Sequence, residues 1–177
     1  MSPAGSVDTI SNGRGLRATL PANPFEPMKS STEAVALAEV RTIYRDLETR
    51  PVERACRRVA ECCHFKLTGK TPFLTAGEAL LAATALRATG RTRLSAKSGG
   101  VCPLFDQTEA RCLIYEARPF GCRTHFCAAA GGPYARAEVI DLIRRLEDVD
   151  RRLGGCGSRP LPAMIEEGLR KIGSRRR

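Results

Sequence analysis

The sequence predicts a mainly α protein, a small helical domain with long cysteine-rich irregular loops. Three observations lead to this prediction. Apolar residues recur at helical spacing in several separate segments. Glycine, proline and cysteine are concentrated in residues 91–132, where no such period is sustained. The 177 residues fit one domain and contain 42% hydrophobic but only 5% aromatic residues, so its core is expected to consist of Leu, Ala, Val and Ile.

The N-terminal part divides into an arm and a helix. Residues 1–29 are rich in Gly, Pro, Ser and Asn and predict a mobile arm. Ser30 followed three residues later by Glu33 forms a capping-box pattern, with Ser30 as N-cap. Apolar residues then follow a helical period, which predicts a helix over 31–49 that ends at Pro51.

Two further helices are predicted before the irregular stretch. A short one over 52–61 would carry Cys56 towards the interior. Thr75 and Glu78 form a second capping-box pattern and predict a helix over 76–88.

The C-terminal half begins with the long irregular stretch 91–132. Such stretches are uncommon in compact domains unless they are functional or cross-linked, and a bound metal would supply the cross-links. A helix over 133–153 is predicted to be the longest in the chain, and a short one is predicted over 162–172. The pattern is all-α, without internal repeats.

These elements define a simple domain organisation. We expect a flexible arm over 1–29 and one cysteine-cluster helical domain over 30–173. Its core motif would span 52–130, and residues 174–177 would form a basic tail.

Charge and hydropathy bear on location and partners. The net charge is +10, but the arginines are dispersed, which is more typical of a solvated surface than of a nucleic-acid site. No run of about 18 apolar residues predicts a transmembrane helix. Residues 1–27 lack the apolar core of a secretory signal, so a cytoplasmic location is expected. In a reducing cytosol, clustered cysteines are usually metal ligands or redox groups rather than disulfides.

The cysteines are the main functional signal. Seven of the eight fall in one region and are candidate metal ligands: Cys56, Cys62, Cys63, Cys102, Cys112, Cys122 and Cys127. Thiolates are the ligands that zinc and iron–sulfur clusters prefer. The alternative is a set of buried free thiols that act as small apolar residues. Cys156 stands apart and is expected to be a free thiol.

Histidines and arginines beside these cysteines are secondary candidates. His64 and His125, the chain's two histidines, could ligate the metal, shuttle protons or only support a ligand. Arg118 and Arg123 could neutralise a multi-thiolate site or bind an anionic substrate, or they could bond carbonyls of the loop.

Other catalytic signatures are missing from the sequence. It contains no P-loop, no dinucleotide-binding glycine motif after a strand, and no HExxH. A thiol nucleophile beside one of the histidines is an alternative, but the spread of cysteines suits chelation better.

These residues give the chain a resemblance to a known family. Cys56 with Cys62-Cys63, the run Cys102-Pro103-Leu104, and the run RCLIYEARPFGCR from Arg111 to Arg123 resemble the YkgJ-type cysteine-cluster family of bacteria, over about residues 52–130. The resemblance implies that these cysteines chelate zinc or iron, and it implies no particular reaction. One position departs from the family, whose first block often includes a Cys-x-x-Cys step. Val59 stands where the second cysteine would be, so either fewer ligands suffice or His64 or Cys127 completes the set.

Three functional hypotheses follow. The first is a metal-binding protein that holds zinc or iron, as a single ion or an iron–sulfur cluster, with an unknown protein partner. The second is an iron-dependent redox enzyme. The third is a zinc-stabilised adaptor that uses the basic surface to bind nucleic acid or an acidic protein.

Overall fold

The computed structural model describes residues 26–50, 54, 60–95 and 99–174. The predicted helix over 52–61 falls almost entirely outside these ranges, as do Cys56, most of the predicted arm and residues 175–177. Six helices lie in the described part: α1 (Glu26–Glu48), α2 (Phe65–Thr68), α3 (Ala76–Ala88), α4 (Phe120–Thr124), α5 (Arg136–Arg152) and α6 (Leu161–Ser174). Four two-residue strands accompany them: β1 (Phe73–Leu74), β2 (Phe105–Asp106), β3 (Arg111–Cys112) and β4 (Arg159–Pro160). The predicted mainly α class is confirmed.

Helix α3 is the centre of the fold. Its capping box is formed as predicted, because the Thr75 N–H donates a 3.0 Å hydrogen bond to Glu78 Oε2. Small residues let neighbouring helices approach it closely. A Cβ on Gly168 of α6 would lie 2.7 Å from the Ala79 carbonyl oxygen, and one on Gly77 would lie 2.7 Å from Val149 Cγ1. Glycine at both positions therefore permits the packing of α3 against α6 and α5.

Two apolar clusters flank α3. The first joins α3 and α6 to the cysteine-bearing loops and includes Leu86, Leu104 and Ile165. The second joins α3 to α1 and α5 and includes Val40 and Leu142. Each of these five side chains is at most 1% exposed. The core consists largely of aliphatic residues and alanine, as the composition predicts.

A buried carboxylate joins the end of α5 to the start of α3. Asp150, 2% exposed, accepts hydrogen bonds from the Ala76 N–H (2.6 Å) and the Gly157 N–H (2.8 Å). The Ala76 N–H is one of the donors that a helix N-terminus leaves unpaired, and a carboxylate there also complements the helix dipole. This contact fixes the turn between α5 and α6 against α3.

Two sequence predictions about the helices are wrong. Helix α1 begins at Glu26, so Ser30 lies inside it and is not its N-cap. Pro27 occupies the first turn, where its missing N–H breaks no helical hydrogen bond. With 23 residues, α1 is also longer than α5, which has 17. None of the described helices is long and apolar enough to cross a membrane.

Candidate metal centre

The first cysteine block is paired with the second through the backbone. Cys62 and Cys63 form most of a single 3-10 turn, which also contains Glu61. The Cys102 N–H donates a 2.7 Å hydrogen bond to the Cys63 carbonyl oxygen. An antiparallel bridge between His64 and Val101 continues this pairing. Cys63 and Cys102, 39 positions apart in the sequence, are therefore neighbours in the fold.

A short hairpin adds Cys112. Strands β2 and β3 pair in an antiparallel register that places Phe105 opposite Cys112. The Leu113 N–H extends the hairpin with a 2.9 Å hydrogen bond to the Leu104 carbonyl oxygen. Leu104 is buried in the α3–α6 core, so the hairpin and its cysteine are anchored to the helices.

The third block presents Cys122 from helix α4. Pro119 precedes this five-residue helix, and its carbonyl oxygen accepts a 2.9 Å hydrogen bond from the Cys122 N–H. The first N–H of the helix, that of Phe120, donates a 2.8 Å hydrogen bond to Glu78 Oε1. The position of Cys122 thus depends on a side chain from the start of α3.

Glu78 connects three elements from a buried position. It is 3% exposed and accepts hydrogen bonds from the Tyr44 hydroxyl (3.2 Å) and the Thr75 hydroxyl (2.9 Å), besides the Phe120 N–H. Burial raises the pKa of Glu78, although the hydrogen bonds from Thr75 and Phe120 oppose that rise. The sequence predicted Glu78 only as a helix cap. Its link to the Cys122 loop could not be predicted, because the partner lies 42 residues away.

Arg123 holds the same loop from the other side. It is 8% exposed, and its Nε donates a 2.9 Å hydrogen bond to the Arg118 carbonyl oxygen. Its Nη2 bonds the Glu116 carbonyl oxygen, and its Nη1 pairs with Glu48 Oε1 at 2.6 Å. The guanidinium lies 4.4 Å from the Tyr44 ring centroid. Of the roles considered for Arg123, the structure shows the bonding of loop carbonyls.

The three blocks bring five thiols together. Hydrogen bonds link Cys62 to Cys63 and Cys63 to Cys102. Cys112 and Cys122 lie near enough to these sulfurs to interact with them electrostatically. We call Cys62, Cys63, Cys102, Cys112 and Cys122 the thiol cluster. The structure therefore assembles five of the seven predicted ligands.

The surroundings of the thiol cluster oppose ionisation of its members. The hydrogen bond with Cys102 raises the pKa of Cys63 to about 12. A hydrogen bond with Cys63, together with burial, raises the pKa of Cys62. Burial raises the pKa of Cys112, and burial and the neighbouring thiols raise that of Cys122. A bound cation would offset the charge that these thiolates cannot otherwise carry together.

Arg118 places a positive charge beside this cluster. Its charge acts on Cys62, Cys112 and Cys122 and lowers the pKa of each, against the larger effects that raise it. The guanidinium carbon lies 4.5 Å from the Tyr115 ring centroid. A positive charge at this place favours thiolates and so suits a multi-thiolate metal site.

The thiol cluster has the donor atoms that a thiophilic metal prefers. Its geometry in the described residues, however, is not that of a formed metal site. Among residues 26–50, 54, 60–95 and 99–174, no three Cys, His, Asp or Glu side chains stand in an arrangement that could hold a metal ion. Ligation by these residues would require their side chains to rearrange. Five thiols beside an arginine nonetheless match the soft, anionic donor set that zinc and iron prefer.

Three further candidate ligands, His64, His125 and Cys127, lie within the described residues. The His64 ring packs edge-on against Phe105, with centroids 5.4 Å apart. His125 lines a small cavity with Cys62 and Cys122, and burial, with a contribution from Lys70, lowers its pKa. Cys127 begins the 3-10 turn Ala128–Ala130. Cys156 is exposed in the turn between α5 and α6.

A cavity of about 860 Å³ adjoins the thiol cluster. All five thiols and Arg118 line it, and apolar side chains such as Phe65 and Leu113 form much of the remaining wall. Its volume is in the range of small-molecule sites. The cluster is therefore accessible to a ligand of moderate size.

Comparison with known families agrees with this site. Residues 55–142 match the family described as CxxCxxCC, a putative zinc- or iron-chelating domain. This region belongs to that cysteine-cluster family, as the resemblance predicted. The spacing in the family's name fits Cys56, Val59, Cys62 and Cys63, so Val59 stands at the place of its second cysteine. No curated protein and no solved structure is significantly similar to the chain.

Proposed function

We propose that the protein binds zinc or iron through thiolates of the thiol cluster, with Cys56 from the family pattern as a further ligand. The observation that carries this proposal is the convergence of five cysteines from three separate blocks beside Arg118. Chance burial of free cysteines gives no reason for such convergence. Metal binding by cysteines so far apart in the sequence would also stabilise the loops, because metal-binding free energy contributes to folding.

The number of thiols bears on the kind of centre. A structural zinc ion takes four ligands in a tetrahedron, whereas the cluster contains five cysteines before Cys56 is counted. The surplus is compatible with an iron–sulfur cluster, a second ion, or one thiol that only supports a ligand. Cys62 and Cys63 are adjacent in sequence, so one of them is the candidate for such a supporting role.

The adjoining cavity favours a second candidate function, an iron-dependent redox enzyme. A purely structural zinc site is normally closed by its protein ligands, while a catalytic metal keeps a position open to substrate. Here a cavity of about 860 Å³ reaches the thiols directly. An iron centre would supply electron-transfer or oxidative chemistry in that cavity.

Metal analysis of matched variants tests the proposal. The protein is purified without oxygen, and zinc and iron are measured by plasma mass spectrometry together with a visible spectrum. Cys122→Ser should lose most of the metal, because this thiol is central to the cluster. Cys156→Ser, which changes an exposed cysteine outside it, should retain the metal. Full metal content in Cys122→Ser would contradict the assignment of Cys122.

The same spectrum separates the two candidates. Zinc–thiolate centres are colourless, whereas iron–thiolate centres absorb visible light. Iron with visible absorption supports the redox enzyme, and zinc without it supports a structural centre. Wild-type protein that contains neither metal, and takes up neither on reconstitution, would contradict the proposal as a whole.

A further inference from the structure

Arg118 has an unsatisfied hydrogen-bond donor beside the thiol cluster. Its Nε is buried and has no hydrogen-bond partner in the described part of the chain. A buried donor without an acceptor costs free energy, so native structures rarely leave one unpaired without a functional reason. The Tyr115 ring supports the guanidinium by a cation–π contact but accepts no hydrogen bond from Nε.

Arg123, five residues later, makes the hydrogen bonds that hold this loop in place. All three of its nitrogens donate hydrogen bonds, to two loop carbonyls and to Glu48. Arg118 contributes its carbonyl oxygen to this arrangement, while its own Nε is unused. The loop therefore contains one arginine whose guanidinium is bonded within the protein and a second whose Nε has no acceptor in the described residues.

The cavity beside the thiol cluster adjoins the side chain of Arg118. Arg118 lines it beside Cys112 and Cys122. Two exposed glutamates, Glu109 and Glu116, also lie on its wall, and Asp106 there pairs with Arg91 at 3.8 Å. These carboxylates would repel an anion from their own part of the cavity. Of the arginines that line the cavity, Arg91 and Arg111 are exposed and Arg118 is half-buried, so the charge of Arg118 is the least screened and would hold an anion most strongly.

We propose that this cavity binds a small organic oxyanion, a carboxylate or phosphate ester, through Arg118, with the apolar body of the ligand against Phe65 and Leu113. The planar guanidinium presents donors in a fork that matches both oxyanions. The apolar wall accommodates a hydrocarbon or aromatic body. The inference deepens the proposed function, since it names the class of molecule that would reach the metal centre.

Fluorine NMR on the metal-containing protein tests the inference with three probes of similar shape. The probes are para-fluorobenzoate, para-fluorophenyl phosphate and the neutral para-fluorobenzamide. We expect at least one of the anions to bind, and the amide to bind about tenfold more weakly or not at all, because it lacks the charge. Whichever anion binds more tightly identifies the oxyanion. Equal binding of the amide, or binding of neither anion, would overturn the proposal.

Two arginine variants then assign the site. Arg118→Gln should weaken binding of the anion by about tenfold or more, the effect of one charged hydrogen-bonding group. The control is Arg111→Gln, which changes an exposed arginine on the same cavity wall and should alter affinity by less than about twofold. Unchanged affinity in Arg118→Gln would overturn the proposal.

Metal content, measured on the same samples, separates this inference from the proposed function. Arg118→Lys, which keeps the positive charge beside the thiolates but not the planar fork of donors, should keep its metal while it binds the anion more weakly. If it loses both, Arg118 serves the thiolates instead of a ligand and the inference is wrong. Wild-type protein that contains metal but binds neither anion contradicts the oxyanion site alone, whereas protein that cannot take up metal contradicts the proposed function.

Discussion

The helical frame, formed by α1, α3, α5 and α6, is held together differently from the cysteine loops, residues 60–74 and 99–132. The frame is stabilised by apolar side chains that are almost completely buried, such as Val40, Leu142 and Ile165. The loops also bury apolar side chains, such as Leu104, in the same apolar core, but their elements are short, and their positions depend on backbone pairing and on the polar side chains of Glu78 and Arg123.

The frame and the loops therefore contribute differently to the domain: the first to its stability, the second to the positions of the thiols. Apolar burial is non-directional and proportional to area, so it stabilises the frame without specifying the position of any sulfur. Hydrogen bonds are directional, and those of Glu78 and Arg123 determine where the Cys122 loop lies. Variants of the frame should therefore change stability, whereas variants of the loop supports should also change metal binding.

The largest effect on stability is expected from Ile165→Ala in α6. Ile165 is fully buried between α3 and α6, so its truncation leaves a cavity and should lower the free energy of unfolding by about 2–5 kcal/mol. Urea denaturation measures the change, and Leu67→Ala, at a side chain 77% exposed, is the control. Folded Ile165→Ala protein should still contain metal. Selective loss of metal from that folded protein would argue against separate roles for frame and loops.

Glu78→Gln should have a smaller effect on stability and a specific effect on the metal. The amide cannot accept all of the hydrogen bonds from Tyr44, Thr75 and Phe120, so we expect a loss of about 1–3 kcal/mol and weaker metal retention. The matched control is Glu138→Gln. Glu138 also accepts the N-cap N–H of its helix, that of Ala135, but it is exposed, and among the described residues its carboxylate bonds Ala135 and Arg54 and not the Cys122 loop. Equal metal retention in the two variants under chelator competition would show that Glu78 is only a cap.

Metal binding by the cysteine loops should depend on pH. Burial and neighbouring thiols raise the pKa of Cys62, Cys63, Cys112 and Cys122, so at neutral pH metal binding must displace protons from these thiols. The metal-bound form holds fewer protons, and its affinity should rise with pH by about tenfold per unit for each proton released. Competition with a chromophoric chelator from about pH 6 to pH 8, corrected for the chelator's own titration, measures the slope. A flat profile would mean that the thiols are not the ligands.

The smallest effect is expected from Arg145→Gln, between α1 and α5. Arg145 pairs with Glu39 at 3.1 Å and with Asp46 at 2.5 Å, and its side chain is 36% exposed. Partly exposed ion pairs are screened by water and salt, so the loss should be about 0.5–1 kcal/mol and should shrink at high salt. Thermal unfolding at two salt concentrations measures it. A loss that does not depend on salt would indicate packing of the arginine stem as its cause.

Predictions from the sequence succeeded mainly where the signal is local. The helix over 76–88 is observed with its bounds and capping box, because both depend on residues within one turn. The predicted start of α1 was wrong, since a Ser-x-x-Glu pattern is also compatible with a helix interior. Five of the seven candidate cysteines converge, while Cys127 lies on a separate turn and Cys56 lies outside the described residues.

The sequence alone therefore determined the mainly α class, the position of the central helix and the family of the cysteine motif, because each depends on short-range spacing. Tertiary structure decided which distant groups meet: the buried Glu78 beneath the Cys122 loop, Arg123 bonded into that loop, and Arg118 with an unpaired donor at a cavity. The two arginines are only five residues apart and chemically identical. Their roles differ because the chain folds acceptors around one guanidinium and leaves the Nε of the other without any.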